Sequence, residues 1–199
     1  MVTTIDGKIL SGDREEHVID LGSDFDHVLM KRIASQADAV IVGAATLRTT
    51  LTTWDPPTRF RVVVTRSGDL PFESAFFTGG ESLVATPEGG NFEPPKGIGH
   101  IAQGTDATDL RAVLAELRKR GVERILVLGG SELNAQLLKE DLIDELFLTI
   151  APKVKLGRDV PTYADGVALP REALLRYSIV ETHVVENEVF LRYRRDHEE

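Results

Sequence analysis

The stretch ILVLGGSELN, residues 125–134, decides the fold. It opens with four apolar side chains in a row, and unbroken rather than alternating hydrophobicity marks a strand buried on both faces, as in the middle of a parallel sheet. Two glycines follow, and Ser131, Glu132 and Leu133 then open a helix, with a hydroxyl and a carboxylate placed where first-turn amides need acceptors. A strand, a Gly-Gly turn and a helix start make a seat for an anion. Glycine lets the backbone come close, and the first amides of a helix have no partner inside it. A plain strand-to-helix turn capped by Ser131 explains the same residues without a ligand.

The same alternation recurs on either side. A short strand is expected at 2–5, a helix from Ser23 to about Gln36 with Asp24 and Asp26 in its first turn, and strands at 39–42, 60–65, 82–85 and 98–102. In the first helix Phe25, Val28, Leu29, Ile33 and Ala37 form an apolar stripe. Thr108 is expected to cap a helix over 109–120 that Gly121 ends, followed by strand 123–128, helix 132–139 and strand 143–150. Runs at 175–185 and 189–195, parted by Glu186, Asn187 and Glu188, read as an antiparallel hairpin. The expected fold is a three-layer α/β/α domain spanning 1–199. Its mixed sheet has roughly eight strands, mostly parallel, with helices on both faces. The stretch TPEGGNFEPPKG, residues 86–97, is too rich in Pro and Gly for regular structure and reads as a surface loop.

Composition removes whole classes of function. With no cysteine, disulfides, thiolate metal sites and a cysteine nucleophile are all excluded. His17, His27, His100, His183 and His197 have no metal-ligand spacing, so no metal is expected. A net charge of -9 argues against a nucleic-acid partner, which needs a basic face, yet leaves a small anionic ligand open. No apolar run reaches the roughly 20 residues of a membrane helix, and MVTTIDGKIL lacks the form of a signal peptide, so a cytoplasmic protein is expected.

Other motifs offer chemistry. In AVIVGAATLRT, Gly43, Ala44, Ala45 and Thr46 put small residues at the mouth of a buried strand, where open parallel sheets bind their ligands. Thr65, Arg66 and Ser67 end another strand with donors that suit a monoester phosphate such as the 2′-phosphate of NADPH; an exposed arginine at a strand end is the simpler explanation. Asp6, Gly7 and Lys8 form a tight turn that could carry acid-base or substrate contacts. Trp54, the only tryptophan, either anchors its loop or packs on a heterocycle. Neither G-x-G-x-x-G nor G-x-x-x-x-G-K-S/T is present, which argues against a standard Rossmann or P-loop protein.

Taken together, TTIDGKI (3–9), ADAVIVGAATLRT (37–49) and ILVLGGSELNAQLLKEDLIDELFLTIAPKVKLG (125–157) resemble, in order and separation, the reductase half of the bacterial riboflavin-pathway deaminase-reductase. That pyrimidine reductase has a dihydrofolate-reductase-like fold. The resemblance implies an NADPH site lined by Gly43, Ala44, Thr46, Leu47, Gly129, Gly130, Ser131, Glu132 and Leu133, with Thr65, Arg66 and Ser67 holding the adenosine phosphate. It places Asp6 and Lys8 near the nicotinamide as catalytic candidates, and it implies a homodimer. Thr4, Thr50, Trp54 and Arg59, with Arg61 as an alternative to Arg59, are the candidates for substrate contact. Thr50 stands where the family carries an acidic residue, and Leu128 where it carries a glutamate. The implied activity is reduction of 5-amino-6-(5-phosphoribosylamino)uracil. A dihydrofolate or pterin reductase, and a nucleotide-binding protein without catalysis, are the alternatives.

Overall fold

A computed structural model describes residues 1–13, 16, 20–49 and 53–197. In chain order the elements are β1 (Val2–Thr4), α1 (Asp24–Ala34), β2 (Ala39–Gly43), α2 (Ala44–Thr49), β3 (Phe60–Val64), α3 (Ala75–Thr78), β4 (Glu81–Thr86), β5 (Gly99–Ala102), α4 (Leu110–Lys119), β6 (Ile125–Val127), α5 (Ser131–Lys139), β7 (Glu145–Ala151), a 3-10 turn (Arg171–Ala173), β8 (Tyr177–Val185) and β9 (Glu188–Arg195). The expected alternation is present, while α3 lies in a segment that reads from sequence only as turns. The chain forms two compact units, one of Met1–Leu29 with Ser131–Glu199, the other of Met30–Gly130.

The Met30–Gly130 unit holds an all-parallel sheet in the order β5-β4-β3-β2-β6. Its inner strands β2 and β3 are rich in β-branched residues, which suit a pleated surface covered on both sides, whereas β6, expected to be buried on both faces in the middle of a sheet, stands at the edge of this one beside β2 and is half-buried along its length. Val40, Val42, Val63 and Val84 are fully buried and pack with Leu47, Leu70, Phe76 and Phe77 in one cluster. The Arg61 guanidinium crosses this layer. It pairs with Asp55 at 2.5 Å and donates to the carbonyls of Pro56 (2.7 Å), Ala75 (3.2 Å) and Phe76 (3.1 Å). Four acceptors around one buried cation are what make its burial tolerable, and they pin the 55–56 loop and α3 to β3. In α4 the cap is Asp109, whose side chain accepts from the Ala112 amide at 2.9 Å, rather than the expected Thr108. The acid one position later has the extended backbone a cap requires.

The other unit contains the sheet β1-β7-β9-β8, in which β1 runs parallel to β7 and the last three strands are antiparallel. The expected C-terminal hairpin is therefore present, and among the described residues hydrogen bonds order the nine strands as two sheets rather than one. Side chains alternate across the hairpin. One face carries Leu146, Leu148, Ile150, Val189, Leu191, Tyr193, Ile179 and Val184, none of them buried. The other carries a charge ladder in which Arg192 meets Glu145 at 2.9 Å and Glu181 at 2.7 Å, and Arg194 meets Glu145 at 3.0 Å. Helix α1 departs from its expected role, because Phe25 and Val28 are 52% and 64% exposed and only Ala34 is buried. Its start is held from the hairpin: the Ser23 amide donates to Glu188 at 2.9 Å and the Ser23 hydroxyl donates to the same carboxylate.

Candidate active site

Within the Met30–Gly130 unit, the carboxyl ends of β2 and β6 meet. The Gly43 amide donates to the Gly129 carbonyl at 2.6 Å, carrying the pairing of β2 with β6 one step into the turn, and the Leu128 amide donates to Ile41 O at 2.9 Å. Gly129 has a φ of 85°, in the region that disfavours any side chain, and the Gly129–Gly130 peptide is cis. A Cβ on residue 130 would stand 2.7 Å from the Thr46 hydroxyl oxygen, so the hydroxyl and the bare glycine backbone face each other directly. This is a cradle that a side chain would fill. Bare backbone beside a hydroxyl at the ends of parallel strands suits a phosphate or another extended anion, so the residues fit a dinucleotide.

Other expected cofactor residues divide by burial. Ala44 is buried and Leu47 is fully buried in the apolar cluster, so only their backbone can meet a ligand. At the end of β3 the Thr65 hydroxyl accepts from the Gly68 amide at 3.1 Å and the Ser67 hydroxyl accepts from the Asp69 amide at 3.3 Å, while the Arg66 side chain is exposed. Gly68 has a φ of 74° and the Phe92 ring lies against it, which fixes the turn from one side. In the other unit α5 begins at Ser131, with Ser131 and Leu133 buried and Glu132 exposed.

The substrate candidates are less united. Trp54 is half-buried against the apolar cluster and serves as a loop anchor. Arg59 stands at the amino end of β3, opposite the end that carries Thr65, and its guanidinium bonds Glu81 at 2.9 Å. Arg61 is the buried clamp already described. Thr50 lies outside the described residues. Leu128 packs against the apolar cluster, where a glutamate would need a partner.

In the Met1–Leu29 and Ser131–Glu199 unit, Asp6 is tightly held. Its carboxylate accepts from the Thr4 hydroxyl at 2.7 Å, the Lys155 amide at 3.0 Å and the Leu156 amide at 2.8 Å. These donors, the Thr4 hydroxyl first, push its pKa down to about 2. At neutral pH it is a fixed anion with no proton to donate. Lys8 closes the same turn, its amide donating to Thr4 Oγ1 at 2.9 Å and its Nζ to the Val160 carbonyl at 2.8 Å. Thr4 thus joins Asp6 and Lys8 through one buried hydroxyl, a link that the spacing T-x-D-x-K contains but does not announce.

Residues 1–191 match the model of the RibD C-terminal domain. The chain belongs to the RibD C-terminal domain family. Among its curated relatives is the 2,5-diamino-6-ribosylamino-4(3H)-pyrimidinone 5′-phosphate reductase of Archaeoglobus fulgidus, 26% identical over 186 residues, covering 83% of this chain and 84% of that protein. RibD of Acinetobacter baumannii superposes with a TM-score of 0.78 at 19% identity, covering 99% of this chain and 57% of that one, so the chain spans little more than half of its length. Dihydrofolate reductase from Enterococcus faecalis, solved with NADP(H), superposes with a TM-score of 0.59 at 15% identity, covering 98% of this chain and 94% of that one. The fold is α/β and dihydrofolate-reductase-like. Among the described residues no helix is long and apolar enough to cross a membrane, and no group of acidic and histidine side chains is placed to hold a metal.

Proposed function

We propose that the chain is an NADPH-dependent reductase of a ribosylaminopyrimidine 5′-phosphate on the route to riboflavin. The family match over residues 1–191 carries this reading, and relatives named as the pyrimidinone phosphate reductase support its substrate class. Gly43, Ala44, Thr46, Leu47, Gly129 and Gly130 hold the dinucleotide through backbone and the Thr46 hydroxyl, continued by Ser131, Glu132 and Leu133. Thr65, Arg66 and Ser67 take its phosphate monoester. When bound, the dinucleotide supplies a hydride, and the protein's share is position, orientation and exclusion of water. Asp6, ionised throughout the neutral range, holds the turn at Lys155 and Leu156 in place and fixes Thr4, while the Lys8 ammonium, anchored on the Val160 carbonyl, is the candidate cation for the substrate. The proton that completes the reduction therefore comes from another donor than Asp6.

The deciding experiment mixes the purified chain with NADPH and, in turn, 2,5-diamino-6-ribosylamino-4(3H)-pyrimidinone 5′-phosphate, 5-amino-6-(5-phosphoribosylamino)uracil and dihydrofolate, following loss of NADPH absorbance. Turnover of either ribosylaminopyrimidine phosphate is the expected result, and turnover of dihydrofolate alone moves the reading to a folate-type reductase. A second reading, a nucleotide-binding protein without turnover, draws on Leu128, which leaves apolar contact where the family has an acid. Binding of NADPH with no turnover of the three substrates would establish it.

We also propose that two chains associate through the apolar face formed by Leu148, Leu191, Ile179 and Val184, since a face of this size without cover is unusual in a monomer. Light scattering that gives a single 21.9 kDa particle at micromolar concentration would contradict it. Finally, we propose that the two compact units fold as one domain, which predicts one calorimetric transition.

A further inference from the structure

One carboxylate beside the turn of Thr4, Asp6 and Lys8 has no part in the proposed machinery. Asp165 closes a short loop between β7 and β8: its Oδ2 accepts from the Thr162 amide at 3.0 Å and its Oδ1 from the Thr162 hydroxyl at 2.6 Å. Thr162 also pairs with Lys8 in an antiparallel bridge. Neighbouring residues extend that contact, the Ile9 amide donating to Pro161 O at 3.1 Å and Lys8 Nζ to Val160 O at 2.8 Å. On the other side the Asp165 amide donates to Ser131 O at 3.4 Å and the Asn134 side chain to Tyr163 O at 2.7 Å. The loop 160–165 thus joins Lys8 to the first turn of α5, all within one compact unit.

The first residue of that helix adds an unused donor. Ser131 is 9% exposed, and its Oγ, buried without a hydrogen-bond partner among the described residues, lies beside the Asp165 carboxylate. Lys8 makes no ion pair among the described residues and spends one of its three donors on Val160 O. Asp165 keeps its charge. Partial burial raises its pKa, but the hydroxyls of Thr162 and Ser131, the Thr162 amide and the Lys8 charge outweigh this and hold it below the ordinary carboxylate value. A fixed anion therefore stands beside both an ammonium and a buried hydroxyl.

We infer that Asp165 is a positioning residue for the reduction, one that holds the Lys8 ammonium at the start of α5, where Ser131 follows the Gly129–Gly130 turn. This rests on the reading above in which Lys8 is the cation for the substrate. Lysine has a long flexible stem, and one bond to a carbonyl leaves its head free to swing. A neighbouring anion narrows that swing, and Thr162 has oriented the anion in advance, so no rearrangement is needed when the substrate arrives. The competing account is a carboxylate that only closes its own loop. Asparagine separates the two, since it can still accept from the Thr162 amide while the Thr162 hydroxyl keeps its second acceptor, Ala164 O at 3.2 Å.

The test compares wild type, D165N and D165E in two ways at neutral pH. One is acetic anhydride labelling of lysines, read by peptide mass spectrometry; the other is turnover of NADPH with the two ribosylaminopyrimidine phosphates. A nearby anion shields an ammonium from acylation, and a solvent-exposed charge contact of this kind is worth about threefold. Lys8 of D165N is therefore expected to label about threefold faster than in wild type, with the exposed Lys31 and Lys96 unchanged. Its kcat/KM is expected to fall about tenfold, because a displaced group costs at least that. D165E, which keeps the charge, is expected to recover part of both, and circular dichroism melts of the three proteins are expected to coincide. Unchanged Lys8 labelling in D165N, or a rise shared by Lys31 and Lys96, overturns the inference whatever the turnover. A selective rise with unchanged kcat/KM overturns the role in the reaction. Wild type that reduces neither phosphate overturns the reductase reading, while the labelling still decides whether Asp165 governs Lys8.

Discussion

The two units reach stability by different means. In the Met30–Gly130 unit β2, β3 and β4 are buried along nearly their whole length, with the half-buried β5 and β6 at the edges, whereas β8 in the other unit is exposed along almost all of its own. A parallel strand covered on both faces must be apolar throughout, so its sequence admits one reading. An antiparallel edge strand can place polar and apolar residues on opposite faces and leave either of them in solvent. The first unit therefore rests on packing within its sheet, while the second adds to its smaller set of buried side chains, Leu21, Leu133, Leu137, Ala151 and Phe190, placed polar contacts such as Ser23 with Glu188, Arg192 with Glu145, and Asp6 with its three donors.

One substitution made in both units tests this directly. Val84 is fully buried and Val184 is 69% exposed. Urea titration should show Val84→Ala losing about 2–3 kcal/mol, from transfer and cavity together, and Val184→Ala staying within about 0.5 kcal/mol in a single chain. A comparable cost at Val184 would mean that β8 is covered in solution, which turns the contrast into support for the paired chains. Tyr177→Phe probes the polar side, since the Tyr177 hydroxyl donates to the Ile143 carbonyl at 2.8 Å; loss of that bond should cost about 1 kcal/mol at neutral pH.

Tyr177 also predicts an alkaline limit. Burial first, and then the Asp141 charge, push its pKa from 10.0 up to about 12, so the folded state holds the proton more tightly than the unfolded one. The stability this gives is complete below about pH 10 and disappears between 10 and 12, and Tyr177→Phe should remove that segment of the pH profile. Asp6 works in the opposite direction. Its pKa falls from 3.8 to about 2, so its contribution is present above pH 4 and is lost as the pH drops toward 2. Asp6→Asn should flatten that acid limb, the smallest of these effects because the carboxylate is exposed to solvent. A limb unchanged in the variant would show that Asp6 does not hold the turn at Lys155.

How much of this was legible from residues alone follows the same division. The apolar run at 39–42 and the Gly-Gly turn at 129–130 stand where the alternation predicts, because burial on both faces and a side-chain-free turn leave marks in composition. The approach of Gly130 to Thr46 joins residues far apart in sequence, and only the G-x-x-T order from Gly43 to Thr46 hints that a hydroxyl is near. Arg61 shows the same limit. An arginine within a β-branched run looks like a ligand contact until the carbonyls of Pro56, Ala75 and Phe76 are seen around it, and those come from a loop and a helix that the Pro and Gly content had hidden. Phe25 and Val28 show the limit of periodicity, which locates an apolar stripe without saying what covers it.

The bond between Ser23 and Glu188 spans 165 positions, and β1 pairs with β7 across nearly as many. Pairings so distant in sequence are rewarded only after a long loop has closed, and closing it costs chain entropy. The Met30–Gly130 unit is contiguous in sequence and closes no loop of that length, since the strands of its sheet all lie within it. The turn that carries Thr4, Asp6 and Lys8 takes its partners from residues 149–160, so a fragment that stops short of them lacks that half of the proposed machinery.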